Sequence, residues 1–123
     1  MCGIFALLNA FYGTINNAQL VEVFKNGSKR GPDNSVLFED LVNGTYIGFH
    51  RLSINGLDEK SNQPIQDNNI VLMCNGEIYN DKRLINALDI ETKTNSDCEV
   101  IIHLYLKYGI DKTIQMLDGV FSF

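Results

Sequence analysis

Cysteine is scarce and odd in number. Cys2, Cys74 and Cys98 are the only three in 123 residues, and their wide spacing excludes the disulfide framework that small secreted domains carry. A reducing, cytoplasmic setting is the corresponding expectation. His50 and His103 are the only histidines. Neither they nor the cysteines fall at metal-ligand spacings, so no metal site is expected. Basic charge is also short: 10 Lys and Arg against 15 Asp and Glu give a net charge of -5. No basic run offsets that balance, which argues against nucleic-acid or anionic-membrane binding. The apolar runs are too short to span a bilayer. The first residues have neither the basic n-region nor the small-residue cleavage site of a secretory signal. What remains is ordinary globular material, 45% hydrophobic, of a length that suits one domain around one core.

Cys2-Leu8 is a nearly continuous apolar run, and it predicts a strand buried on both faces. Asn9-Asn17 is a turn region. Ala18-Phe24 predicts a short helix ended by Asn26-Gly27, and Lys29-Asp33 a turn. Ser35-Val42 and Thr45-Leu52 are strand-like runs around Asn43-Gly44, the strongest hairpin signal in the chain. Asn55-Asn69 is polar throughout and predicts a long surface loop, a length often tied to function. Ile70-Cys74 is a short strand, broken at Asn75-Gly76-Glu77. Asp81-Leu88 is helical with Asn80 as its cap, and Asp89-Asn95 is polar and extended. Cys98-Tyr108 is a helix capped by Ser96 or Asp97, with Ile101, Ile102, Leu104, Tyr105 and Tyr108 on its apolar side, and Gly109 ends it. Asp111-Leu117 is a further helical stretch and Gly119-Phe123 a last strand. Strands, a hairpin and inserted helices in this order favour an α+β domain on antiparallel sheet.

Chemistry enters through Cys2. Removal of Met1 leaves a residue with a thiol and a free α-amine on one Cα. Such groups titrate within reach of neutral pH, so one residue can be both nucleophile and base. A nucleophile directed at an amide also needs an oxyanion hole and groups that hold the substrate. Asn75 offers a side-chain donor, and Gly76 a backbone N–H open to close approach. Arg51 can fork onto a carboxylate. Glu77 and Asp97 can hold an ammonium, although Asp97 also suits a helix cap. A carboxylate clamp, an ammonium clamp and an amide-directed thiol together describe glutamine or asparagine. Cys74 and Cys98 read as structural thiols in apolar surroundings. A Cys–His dyad with His50 or His103 is discounted, because an N-terminal Cys already carries a base.

Seven stretches carry a family resemblance: Met1-Cys2-Gly3-Ile4, Arg30-Gly31-Pro32-Asp33, Gly48 to Ile54, Gln63-Pro64, Asn75 to Asn80, Asp97 to Ile101 and Leu117 to Phe123. In this order, the chain resembles the N-terminal glutaminase domain of glutamine-hydrolysing asparagine synthetases, within the class II glutamine amidotransferases. The resemblance implies one domain over residues 1–123 with the N-terminal-nucleophile hydrolase fold, an αββα sandwich of antiparallel sheets with helices outside. It implies Cys2 as nucleophile with its α-amine as base, and Asn75 and Gly76 as the oxyanion hole. Arg51 would hold the glutamine α-carboxylate, Glu77 and Asp97 the amino end, and Leu52, Ser53, Ile54 and Asn55 would line the pocket. The implied reaction converts L-glutamine to glutamate and ammonia without a metal or cofactor. ATP and magnesium would belong to a synthetase domain that this sequence does not include. The family's glutaminase domain continues past residue 123, so the resemblance also implies a sandwich truncated at its C-terminal end. A synthetase chain or a second copy would complete it. Two other readings stand beside this one: a non-catalytic glutamine-binding or regulatory module, and a thiol amidase acting on a different amide.

Overall fold

Three antiparallel strands and one helix build the first part of the molecule. The computed structural model describes residues 2–10, 16–40 and 42–123, and the chain divides into two compact units, Met1–Leu52 and Ser53–Phe123. The turn expected over Asn9-Asn17 lies largely outside the described residues.

In the first unit β3 (Thr45–Arg51) is the central strand, between β1 (Gly3–Leu7) and β2 (Asn34–Asp40). Asp40 pairs with Thr45, so the expected hairpin closes over Asn43-Gly44. Asp40 fastens the turn by accepting from Val42 N and Asn43 N at 3.1 and 3.2 Å. Gly44 has φ +56, and a Cβ there would sit 2.4 Å from Ala10 O, so only glycine fits. The Asn16 side chain accepts from Ala18 N at 2.9 Å and starts α1 (Asn17–Lys25). This helix buries Leu20 and Phe24. Phe24 stacks on His50 with centroids 4.1 Å apart and meets Phe5 edge-on at 5.8 Å. β1 is not buried on both faces as its composition suggests: Gly3 is buried, Ile4 is 39% exposed, and the strand alternates. Among the described residues it is an edge strand, paired on one side by β3.

The second unit has two short ladders, β4 (Ile65–Asp67) with β5 (Ile70–Leu72) and β6 (Asn75–Ile78) with β7 (Gly119–Ser122), both antiparallel. Around them lie α2 (Asp81–Leu88), α3 (Val100–Tyr108) and α4 (Ile110–Met116). One apolar cluster joins Ile65, Leu72, Cys74, Ile78, Leu84, Cys98, Ile102 and Leu104, among others. Full burial of each large aliphatic side chain contributes about 1.5–3 kcal/mol. Every pairing described is antiparallel, and the mixed α and β content agrees with the sequence reading.

Four further expectations are corrected. Asn55-Asn69 is not all loop, because Ile65 brings β4 into the core, and Glu59–Ser61 forms a 3-10 turn. The strand break falls at Met73-Cys74, whereas Asn75–Ile78 is itself a strand because it pairs with β7. Asn80 makes no capping bond. Its amide bridges two distant backbone groups, donating to Met116 O at 2.9 Å and accepting from Asp118 N at 3.0 Å. Tyr105 and Tyr108 are 45% and 39% exposed, since the buried face of α3 is Val100, Ile101, Ile102 and Leu104.

Candidate active site

The candidate residues fall into two sets, one in each unit. Cys2, Arg51 and Leu52 belong to the first. The β1–β3 register sets Gly3 opposite His50, which brings Cys2 to the end of β3. Leu52 N donates to Cys2 Sγ at 3.3 Å, and the thiol donates to Leu52 O at 3.6 Å. A thiolate would keep the first of these bonds, and a donor N–H suits an anionic sulfur. Arg30 Nε donates to Cys2 O at 3.0 Å. Arg30 reaches there because the 30–33 segment packs on the end of β3. A Cβ on Gly31 would lie 2.1 Å from His50 O, and Asp33 N donates to Arg51 O at 3.0 Å. By composition alone this segment reads as a turn, with nothing local to link Arg30 to Cys2. Arg51 closes β3 opposite Asn34 and is 5% exposed.

His50 is engaged elsewhere. Its Nε2 lies 2.7 Å from Phe24 O and its Nδ1 2.7 Å from Ser35 Oγ. A carbonyl only accepts, so the neutral ring carries its proton on Nε2 and accepts from Ser35 on Nδ1. Both nitrogens are used in holding α1 and β2 to β3, consistent with discounting His50 as a base for Cys2.

The second set is Ser53, Ile54, Asn55, Asn75, Gly76, Glu77 and Asp97. Asn75, Gly76 and Glu77 are successive residues of β6. Gly76 faces Phe121 in the register, and a Cβ on it would sit 2.1 Å from Val120 O. Close approach of β7 therefore requires the glycine. Ile78 N, at the end of β6, donates to Asp97 Oδ2 at 2.6 Å. The Ser96 side chain, not Asp97, takes the capping bond, from Cys98 N at 3.3 Å.

Asn55, Glu77 and Asp97 meet in an open cleft of about 430 Å³, lined also by Gly56, Tyr79, Asp81, Lys82 and Asn95. That size is at the small end of ligand pockets. Ser53 and Ile54 are not among its lining residues; Ser53 is half-buried and Ile54 exposed. Its lining includes three acids, Glu77, Asp81 and Asp97, and one lysine, Lys82. Burial pushes the Asp97 carboxyl above its ordinary value of 3.8, and the charges of Asp81 and Glu77 add to the effect against the Ile78 N–H. A perturbed acid in a cleft marks a candidate binding site. Asp81 and Asn95 were missed in the sequence because each reads locally as something plain, a first-turn acid and a loop amide. Asn95 is set in place by Ser61 Oγ, which accepts from its N–H at 3.1 Å, and by Asp58, which accepts from its side chain.

The glutamine amidotransferase domain family matches residues 1–123. The chain is 44% identical over 130 residues to the glutamine-hydrolyzing asparagine synthetase of Rattus norvegicus, covering all of this chain and 22% of the rat protein. It is 41% identical over 128 residues to glutamine-hydrolyzing asparagine synthetase 1 of Arabidopsis thaliana, covering all of this chain and 21% of that protein. The chain thus spans about a fifth of the length of these relatives. With a family match that runs over the whole sequence, and with antiparallel ladders, a tethered Cys2 and an acidic cleft described above, the chain belongs to the glutamine amidotransferase domain family.

Proposed function

We propose that the chain hydrolyses L-glutamine to glutamate and ammonia through a thioester on Cys2, as the glutaminase half of asparagine biosynthesis. The observation that carries this reading is the acidic cleft. A buried Asp97 with raised proton affinity beside Glu77 and Asp81 suits the ammonium of an α-amino acid. Family membership supplies the rest, and the printed names of the relatives couple glutamine hydrolysis to asparagine synthesis.

In this reading Met1 is removed and the α-amine of Cys2 takes the thiol proton. The thiolate adds to the glutamine δ-carbon, and the carbonyl electrons move to oxygen. The Asn75 side-chain amide and the Gly76 N–H hold that oxyanion. The α-ammonium returns a proton to the δ-nitrogen, the C–N bond breaks and ammonia leaves. Water then adds to the thioester, the amine takes its proton, the C–S bond breaks and glutamate departs. Each oxyanion donor is worth about 2.7–4 kcal/mol in the transition state. Arg51 holds the α-carboxylate, Glu77 and Asp97 the α-ammonium, and Leu52 to Asn55 line the pocket. Neither half of the reaction requires a metal. ATP and magnesium belong to the acceptor chemistry of a synthetase domain, which would receive the ammonia from a separate chain or region. The reading also takes residues 1–123 as one functional domain of the N-terminal-nucleophile sandwich type, working in the cytoplasm.

Incubation with an electrophilic glutamine analogue, followed by intact-mass measurement, tests it. The expected result is a single adduct on Cys2 in protein lacking Met1, and none in Cys2→Ala. A well-folded sample that takes up no adduct overturns the reading. Thermal stabilisation by glutamine without release of glutamate replaces it with the binding-module alternative.

A further inference from the structure

Between β5, which ends at Leu72, and β6, which begins at Asn75, Met73 and Cys74 stand outside both ladders. Cys74 is 1% exposed, so its backbone N–H and C=O need partners away from water. One side chain supplies both. Cys74 N donates to Gln63 Oε1 at 2.6 Å, and Gln63 Nε2 donates to Cys74 O at 3.0 Å. The carboxamide therefore stands in for one residue of a neighbouring strand. A primary amide is the neutral side-chain group with a donor and an acceptor side by side in this geometry. Gln63 is itself 7% exposed, so water does not compete for these bonds.

The location gives the clamp its consequence. Cys74 C=O is the carbonyl half of the peptide that joins Cys74 to Asn75, so the bond to Gln63 fixes the plane of that peptide. Beyond it, Asn75 and Gly76 are held by Ser122 and Phe121 of β7. The pair read as the oxyanion hole is thus anchored from both ends, by a strand on one side and by a single side chain on the other.

We propose that Gln63 is a positioning residue for glutamine hydrolysis, whose two-point clamp on Cys74 aims the Asn75 and Gly76 donors at the developing oxyanion. The proposal rests on the reading of Asn75 and Gly76 given above. Misplacing such donors by about 1 Å costs up to about 100-fold in rate. Ground-state binding of the amino-acid head does not pass through them.

Two variants of the full chain test it. Gln63→Met keeps the shape and removes both bonds. Gln63→Glu keeps the acceptor for Cys74 N and, ionised, loses the donor to Cys74 O. Three quantities are measured: kcat for glutamine, the inhibition constant of L-glutamate, and the rate at which iodoacetamide alkylates Cys2 by intact mass. Alkylation needs no oxyanion hole, so it reports whether Cys2 itself is disturbed. The expected result is a kcat lower by about 10- to 100-fold in Gln63→Met and by at least as much in ionised Gln63→Glu, whose second oxygen would oppose Cys74 O, with glutamate inhibition and alkylation unchanged. A folded Gln63→Met with the parental kcat overturns the proposal. So does a variant in which glutamate binding weakens in step with kcat, since that marks a purely structural clamp. Should Gln63→Met fail to fold, Gln63→Glu is judged by the same criteria. A parent chain without glutaminase activity overturns the oxyanion-hole reading and this inference together, whereas an active parent with indifferent variants overturns the inference alone.

Discussion

Asp97 and Glu99 lie two residues apart in the 3-10 turn that leads into α3, at 9% and 3% exposure, and their carboxyls are driven in opposite directions. Burial raises the proton affinity of both. At Glu99 that effect is overcome by donors: Lys93 N and Thr94 N at 2.7 Å, and Thr94 Oγ1 at 2.6 Å. His103 Nε2 stands near at 3.5 Å. The result holds Glu99 below its ordinary 4.5. Asp97 has the Ile78 N–H at 2.6 Å and two acidic neighbours, so its carboxyl stays above 3.8. The same burial therefore has two uses. Glu99 is satisfied by its own chain and ties down the 93–94 backbone that leads to Asn95 and Asp97. Asp97 keeps an electrostatic deficit that a ligand cation in the cleft would remove.

Neutralising each acid in turn separates these uses. Asp97→Asn still offers Ile78 N an acceptor but no longer attracts an ammonium. Its KM for glutamine is expected to rise about 10- to 100-fold, the value of a hydrogen bond to a charged group. Its melting temperature at neutral pH should not fall. The sign follows from the raised folded value: between 3.8 and that value the folded state holds the extra proton, so wild-type stability drops as pH rises through the window. The variant lacks this loss, and its advantage grows from about pH 4 upward. An unchanged KM would break the assignment of Asp97 to the substrate.

Glu99→Gln should act mainly on stability. It places an NH2 among buried donors, at a cost of about 1–3 kcal/mol, read as a lower melting temperature. Because the folded value is depressed, the stabilisation by wild-type Glu99 is present above about pH 4.5 and is lost as pH falls through the folded value. Thermal melts from pH 3 to 7 should thus show a gap that closes toward acid, the reverse of the Asp97 pattern. A gap independent of pH would show that shape, not charge, matters at Glu99. The smallest effect belongs to Lys93→Met. This lysine forms an exposed ion pair with Asp67 at 2.5 Å, while its backbone N–H serves Glu99. Exposed pairs contribute little, so both the melting temperature and KM should stay near the parental values. A large drop in either would mean that the ammonium, and not the backbone, organises this segment.

What could be read along the chain was local. Asn43-Gly44 closes its hairpin, Asn26-Gly27 ends α1 and Gly109 ends α3, because turn chemistry acts over a few residues. Asn75-Gly76 shows the opposite case. The pair looks like a turn, yet it pairs with Ser122 and Phe121, more than 40 residues away. Asn80 looks like a cap, but its amide serves Met116 and Asp118. At the candidate site, Cys2, Arg51, Glu77 and Asp97 stood out by residue type and by their order in a family pattern. Arg30 and Gln63 belonged to the same pattern but carried no legible role, and Asp81 and Asn95 did not stand out, since each acquires its place through a contact with a residue distant in sequence.

The amino-acid order by itself therefore determined the family, the helices with their stops, the antiparallel character and the residue types able to handle an amide, an ammonium and a carboxylate. Tertiary structure decided which of two neighbouring acids is surrounded by donors and which lies beside other acids in a cleft. It also decided that a glutamine supplies the strand missing beside Cys74. Both outcomes depend on burial and on which donors lie within about 3 Å, the range over which a hydrogen bond is strong. Such distances are set only when segments remote in sequence pack together.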